Sequence, residues 1–301
     1  MAAWVVIGEL GVHQQKDSEN LYNILQLDPA AEPEVVAAAY RRLALKYHPD
    51  TNKSPYAARR MQDINAAYEI LGDPERRLQY DSCRAATEVV RKAPLWQQIG
   101  IQMVTIPAGE FLYSDEKQKV YLPEYRLART PVTNAQYKPF VDAAGHGVPY
   151  HWKKERIPSG KENHPAVWVS WGDAQAFCEW AGCRLPTEQE WEKGARGTDG
   201  REYPWGNKWQ TGRCNSHEAG MHDTTPVDRY PNGASPYELR DMAGNVWECC
   251  DSWWDARHAA RVVRGGSRYD SRRLVRCAYR DRYFPLNRDR DVGFRVCASP
   301  I

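Results

Sequence analysis

Near residue 99 the residue pattern breaks, and the two sides of the break call for different architectures. Upstream, apolar residues recur at helical spacing. Downstream, Trp, Gly and Pro are frequent, and short apolar runs are interrupted by Gly, Pro and Asn. That downstream pattern is α+β with much irregular chain. It contains three helix starts. Thr133 with Gln136 and Thr187 with Glu190 are capping-box pairs, and Ser170 with Asp173 in the first turn is a third cap. A loop-rich domain needs specific packing devices, and the tryptophans are expected to supply them. With 301 residues, 42% of them hydrophobic, the chain has material for two domains.

The net charge of +2 gives no global argument for nucleic acid or membrane. The first twenty residues hold only a short apolar run, Trp4 to Ile7, with no basic leader, and no stretch reaches the length of a membrane span. The chain is expected to be soluble and cytoplasmic, with no membrane partner. Cys83, Cys178, Cys183, Cys214, Cys249, Cys250, Cys277 and Cys297 include no C-x-x-C pair. This argues against a zinc ribbon and favours buried thiols over disulfides. Vicinal Cys249-Cys250 has no role legible in the sequence.

In the upstream part, Pro33 and Glu34 suit a helix start. Val36, Tyr40, Leu43 and Tyr47 then form one apolar helix stripe, with Arg41, Arg42 and Lys46 on a basic outer face. Pro49 drives its predecessor out of helical geometry, so this helix ends near Tyr47. Met61, Ile64, Tyr68 and Leu71 form a second stripe, stopped by Gly72-Asp73-Pro74. Two antiparallel helices and a short polar loop follow, with His48 and Asp50 at the loop's start.

This stretch resembles a J-domain through Leu21 to Leu25, Ala39-Tyr40-Arg41-Arg42-Leu43-Ala44, Lys46-Tyr47-His48-Pro49-Asp50 and Ile64 to Leu71. The resemblance implies a DnaK-type chaperone partner met by His48, Pro49 and Asp50 together with Arg41, Arg42 and Lys46. The opposing reading is a J-like spacer that meets no chaperone. No glycine/phenylalanine-rich or cysteine-rich zinc module follows, so a general substrate-carrying co-chaperone is not expected. The expected organisation is a tail over 1–17, a small all-α J-domain over 18–82, a linker or helical extension over 83–98, and the α+β module over 99–301.

The second module is similar to formylglycine-generating, sulfatase-modifying proteins. The likeness runs through Pro107 to Phe111, Pro131 to Tyr137, Val169-Ser170-Trp171, Arg184 to Glu192, Tyr203 to Asn207, Asp241 to Glu248, Arg264-Gly265-Gly266-Ser267 and Gly293-Phe294-Arg295. The implied fold is a variant of the C-type lectin fold, and a fold alone fixes no chemistry. The family's enzymes carry two copper-binding cysteines shortly after Gly-Gly-Ser. Here the first position is Asp270 and the second falls near Val275, while Cys277 aligns with a structural cysteine whose partner position is Ala195. A hard carboxylate does not replace a soft thiolate at copper(I). No copper and no catalytic residue are therefore expected. A non-haem iron site is not expected either, since the eight histidines are scattered.

Asp241 and Glu248, with the carbonyls of Gly244 and Val246, match a calcium site of the family and supply hard oxygen donors. The alternative is that both acids make hydrogen bonds within the fold. A second set would use Asn215, the Ser216 carbonyl and Glu218, although the loop is shorter here. Either ion would be structural.

Between Ser267 and Val292, framework residues alternate with residues of mixed type. The mixed positions are Tyr269, Asp270, Ser271, Arg273, Leu274, Tyr279, Asp281, Tyr283, Phe284, Leu286, Asn287, Asp289, Arg290 and Asp291. Val275, Arg276, Cys277, Ala278, Arg280, Pro285 and Arg288 are framework. Tyrosines beside small polar residues on a rigid scaffold make an antibody-type binding surface. The spacing also resembles the variable region of proteins diversified by retroelements, here residues 268–291. Those systems mutate adenines in Asn-type codons, which never yield Lys, Glu, Gln, Met or Trp, and none of the five occurs from Ser267 to Cys297. Arg268 departs from the family, which has an aromatic there. A fixed ligand-binding paralogue and a residual copper-dependent cysteine oxidase are the competing readings. Eight arginines against four aspartates make residues 268–291 locally +4, suited to an acidic ligand. Nucleic acid is not expected, for no nucleic-acid module is present. Arg276, Arg280 and Arg288 are expected to be buried in framework hydrogen bonds.

Overall fold

A computed structural model describes residues 21–48, 52 and 54–300, with only the backbone at 55, 56 and 85–92. The described residues form two compact units that divide between Lys92 and Ala93.

In the first unit, α1 (Leu21–Leu25), α2 (Pro33–Tyr47), α3 (Pro55–Leu71) and α4 (Pro74–Lys92) follow in order. Pro33 opens α2 with Glu34 in the first turn, and His48 ends it in an extended conformation. The two expected stripes meet: Val36, Leu43, Ile64 and Leu71 are buried together, and the Tyr40 and Tyr68 rings stack at 4.0 Å. Arg77 on α4 reaches across to Tyr22 Oη and to the carbonyls of Pro29 and Ala31, fixing the α1–α2 turn. Residues 83–92 continue α4, because nothing in their Arg/Ala/Thr/Val mixture breaks a helix.

The second unit opens with α5 (Leu95–Gln98), whose Trp96 is buried in that unit's own core. Strands β1 (Met103–Ile106) and β4 (Tyr125–Ala128) pair antiparallel with each other, and β4 pairs with β9 (Cys297–Ala298). The unit's two ends are thereby joined. Strands β2 (Gly109–Tyr113) and β3 (Gln118–Leu122) form a hairpin. Helices α6 (Asn134–Ala144), α7 (Trp171–Ala181) and α8 (Glu188–Arg196) start at Thr133, Ser170 and Thr187. All three caps are reciprocal boxes: the hydroxyl accepts from the third residue's N–H, and that residue's side chain accepts from the cap's own N–H.

The central sheet has the order β7–β6–β5–β8, from β5 (Trp247–Trp253), β6 (Arg261–Arg264), β7 (Arg280–Tyr283) and β8 (Val292–Phe294), with β5 and β8 parallel. Side chains alternate across a strand. Cys249 and Val263 therefore join a core with Phe140, Phe177 and Phe294, while Cys250 and Val262 join another with Trp191 and Leu127. That alternation accounts for the adjacent cysteines: each fills a different core. Charges are buried here as pairs. Glu192 meets Arg196 at 2.6 Å and Arg264 at 2.8 Å, and Glu248 meets Arg295 at 2.6 Å. Among the described residues no helix is long and apolar enough to cross a membrane.

Candidate functional site

Residues 268–291 leave the sheet after β6, return as its edge strand β7, and cross its end to β8. The departure depends on Gly266. Its φ is +69°, and a Cβ there would stand 2.7 Å from Val275 Cγ1, so neither the turn nor the close approach tolerates a side chain. Buried Ser267 ties the two ends of the tract. Its Oγ lies 2.7 Å from Asp270 Oδ2 and 3.1 Å from Asp291 Oδ2, so one hydroxyl proton serves both carboxylates. Burial raises the Asp291 carboxyl above its ordinary range, against the opposing pull of Ser267 and Arg268.

None of the fourteen mixed-type residues is buried. Tyr269, Arg273, Asp281, Phe284, Leu286, Asn287, Asp289 and Arg290 are exposed, and Asp270, Ser271, Leu274, Tyr279, Tyr283 and Asp291 are half-buried. The interleaved Val275, Cys277 and Ala278 are buried. Leu286 is 87% and Phe284 57% exposed, so two large apolar side chains stand in water. The Tyr283 hydroxyl donates to Asp289 at 2.8 Å; burial and that acid both push its phenol pKa up.

The three framework arginines are tethered but not buried, a correction to the expectation above. Arg276 pairs with Asp115 at 2.8 Å, Arg280 with Glu188 at 3.0 Å, and Arg288 with Asp173 at 2.7 Å, with arginine side chains 27%, 34% and 53% exposed. Each acid lies outside the tract, so the stems lie along the surface while the heads are pinned. Asp173 also caps α7 and meets His146. Burial opposes its ionisation, but Arg288, Ser170 and His146 outweigh burial and hold the carboxyl below its ordinary range.

On the helical unit, Arg41, Arg42 and Lys46 are exposed along α2 beside exposed His48. Arg42 donates to Gln26 Oε1, and the His48 carbonyl accepts from Asn52 N–H at 2.8 Å. Pro49 and Asp50 lie outside the described residues.

The two calcium sets differ in how their donors are spent. Glu248 accepts Trp191 Nε1 and two nitrogens of Arg295, which leaves one of its four lone-pair positions. Buried Asp241 accepts one hydrogen bond, from Asn245 Nδ2. A carboxylate so little compensated fits a hard cation. In the second set Asn215 Oδ1 is buried without a hydrogen-bond partner, whereas Glu218 accepts Ser216 Oγ and Arg272 N–H. Among the described residues no three or more His, Cys, Asp or Glu gather to hold a metal.

Residues 91–300 match the sulfatase-modifying factor enzyme 1-like domain. The chain belongs to that family. Residues 20–81 match the DnaJ domain, and the helical unit is a J-domain. Formylglycine-generating enzymes of Streptomyces coelicolor and Thermomonospora curvata are 33% and 32% identical to this chain over the aligned residues. They align over 65% and 71% of this chain and 88% and 98% of their own lengths. An inactive C-alpha-formylglycine-generating enzyme 2 of Bos taurus is 41% identical over 49% of this chain and 56% of its own. Among solved structures, Treponema denticola variable protein 1 has a TM-score of 0.55 at 22% identity, covering 66% of this chain and 95% of that one. PvdO from Pseudomonas aeruginosa reaches 0.59 at 21%, over 69% and 100%. These last two likenesses are of fold.

Within this sulfatase-modifying factor fold, the two positions assigned above to copper-binding cysteines hold no thiol. The Asp270 carboxylate accepts the Ser267 N–H and hydroxyl. Val275 is fully buried beside Tyr203, Cys214 and Ala243. Cys277 packs in one core with Ala195. Burial pushes the thiols of Cys214 and Cys249 up to about 12.

Trp168 and Tyr150 beside the tract, and the burial of Arg268 at its start, are not foreseen in the sequence. Arg268 is 5% exposed under the Tyr269 ring, 4.4 Å away. Trp168, in a left-handed conformation at φ +61°, donates its N–H to the Asp289 carbonyl and lies 5.3 Å from the ring of Tyr150, which is 82% exposed. A positive φ at tryptophan is not readable from sequence. The departure at Arg268 was the one available signal.

Proposed function

We propose that this protein binds a ligand rather than transforming one, and that its J-domain couples the bound ligand to a DnaK-type chaperone. The observation that carries the reading is the sorting of residues 268–291. Every mixed-type side chain reaches water at least in part, while the interleaved Val275, Cys277 and Ala278 are buried and Arg276, Arg280 and Arg288 are pinned to acids elsewhere in the fold. A rigid base under aromatic and adaptable polar groups is what a binding surface needs. At the positions where the family's oxidases place thiolates stand a hydrogen-bonded carboxylate and a buried valine, which supports the absence of that chemistry.

The tract is read further as the variable region of a retroelement-diversified receptor, in keeping with its composition and with the fold neighbour named variable protein 1. The second reading is a fixed binding module, and the 41% identity over half of this chain to a relative named inactive is in keeping with it. Calcium would be held at Asp241, Glu248 and the carbonyls of Gly244 and Val246, with Asn215 and the Ser216 carbonyl as a second set. It would neutralise buried oxygens and take no part in a reaction.

The chaperone half is tested by His48→Gln. Stimulation of a DnaK-type ATPase is expected to fall to background while the thermal midpoint stays put, because His48 is exposed. Retained stimulation in this variant would contradict the coupling.

A further inference from the structure

Arg268 holds a guanidinium that the fold leaves partly unspent. A guanidinium carries five N–H donors. Nη2 donates to Tyr269 Oη at 3.1 Å and to the Arg290 carbonyl at 2.9 Å, whereas Nε and Nη1 are buried without any acceptor. Three donors are thus kept from water with no hydrogen-bond acceptor, a costly arrangement that an incoming anion would relieve. Asp291 and Asp223 feel the Arg268 charge but accept none of the three. The contrast with the framework arginines is direct, since each of those has an acid at 3.0 Å or less. The nearby carboxylates of Asp270 and Asp291 turn instead to Ser267.

The surroundings match an anion. Tyr269 lies 4.4 Å from the Arg268 guanidinium and 4.8 Å from that of Arg290, so two cations flank one partly exposed ring. Asp270, Asp281, Asp289 and Asp291 interrupt the arginines along the tract, which breaks the positive charge into separate spots suited to single anionic groups rather than to a continuous polyphosphate. We propose that Arg268 is the floor of an anion subsite that receives one carboxylate of an acidic protein ligand, with Arg290 as second cation and Tyr269 as the wall that turns aside on entry. This deepens the ligand-binding reading and rests on it for the identity of the occupant. Planar carboxylate oxygens suit guanidinium donors, and the interrupted charge pattern favours a protein partner over nucleic acid.

The test uses the full chain and no unidentified ligand. Arginine Nε–H resonances are followed by NMR during titration with sodium acetate, and separately with sodium phosphate and sodium chloride, at constant ionic strength. The Arg268 signal, assigned by its loss in Arg268→Lys, is expected to shift saturably with acetate and to need several-fold more acetate in the surface variant Arg290→Gln. A shift that is linear and equal with acetate and chloride would overturn the subsite. Saturation at lower phosphate than acetate would overturn the carboxylate assignment. Because acetate binding does not depend on whether the tract varies between cells, the subsite and the receptor reading fail separately.

Discussion

Glu248 and Arg295 are both fully buried and meet through two nitrogens and two oxygens. Neither charge has water to fall back on, so removing one strands the other. Glu248→Gln is expected to cost about 3–5 kcal/mol in urea denaturation, with chelator or with calcium present. If calcium fully rescued the variant, the ion pair would not be the chief role of Glu248. Asp241 is placed differently, with one hydrogen bond to offset its charge. Calcium is expected to raise the wild-type thermal midpoint, and Asp241→Asn to abolish that response. An unchanged midpoint in the wild type would remove calcium from the account. From sequence, Asp241 and Glu248 read as equivalent oxygen donors, because nothing local announces that Arg295, 47 positions away, takes most of one of them.

At the scale of elements, the N-terminus of α7 joins the tract to the scaffold. Asp173 closes the capping box and accepts the Arg288 guanidinium at both oxygens. Its folded-state pKa lies below the unfolded value of about 3.9, so this pair's stabilisation is full above that pH. It is lost as the pH falls from there toward the depressed folded value. Arg288→Gln is expected to cost about 1 kcal/mol at neutral pH, half-exposed as the arginine is, and progressively less below pH of about 4. A cost independent of pH would show that Arg288 acts by packing alone. The three caps and the two J-domain stripes were readable because they are local, set by spacings of three and four. The tethers of Arg276, Arg280 and Arg288 were not. Their partners sit 161, 92 and 115 residues away, and alternation along the tract shows only which residues belong to the framework. Cys249-Cys250 became intelligible once β5 was known to separate two cores.

At the scale of the molecule, the proposed function gives the two units separable tasks. The J-domain presents a basic helix face ending at His48, and the sulfatase-modifying factor unit presents a surface across the end of its central sheet. Both folds were legible because their motifs stand in order along the chain. The function proposed for the second was less so, since a binding reading differs from an oxidase reading there at only a handful of positions on a shared frame. Among these, Arg268 was visible only as a departure; its burial and its unspent donors belong to the fold.

The central claim, that a fixed scaffold displays a changeable surface, is tested by deep sequencing of this locus and its flanking DNA across a population of source cells. The account predicts substitutions confined to Tyr269 through Asp291 at the mixed-type positions, with a neighbouring near-copy rich in adenine at those codons. A tract identical in every cell, with no such copy nearby, would contradict it and leave a fixed binding module.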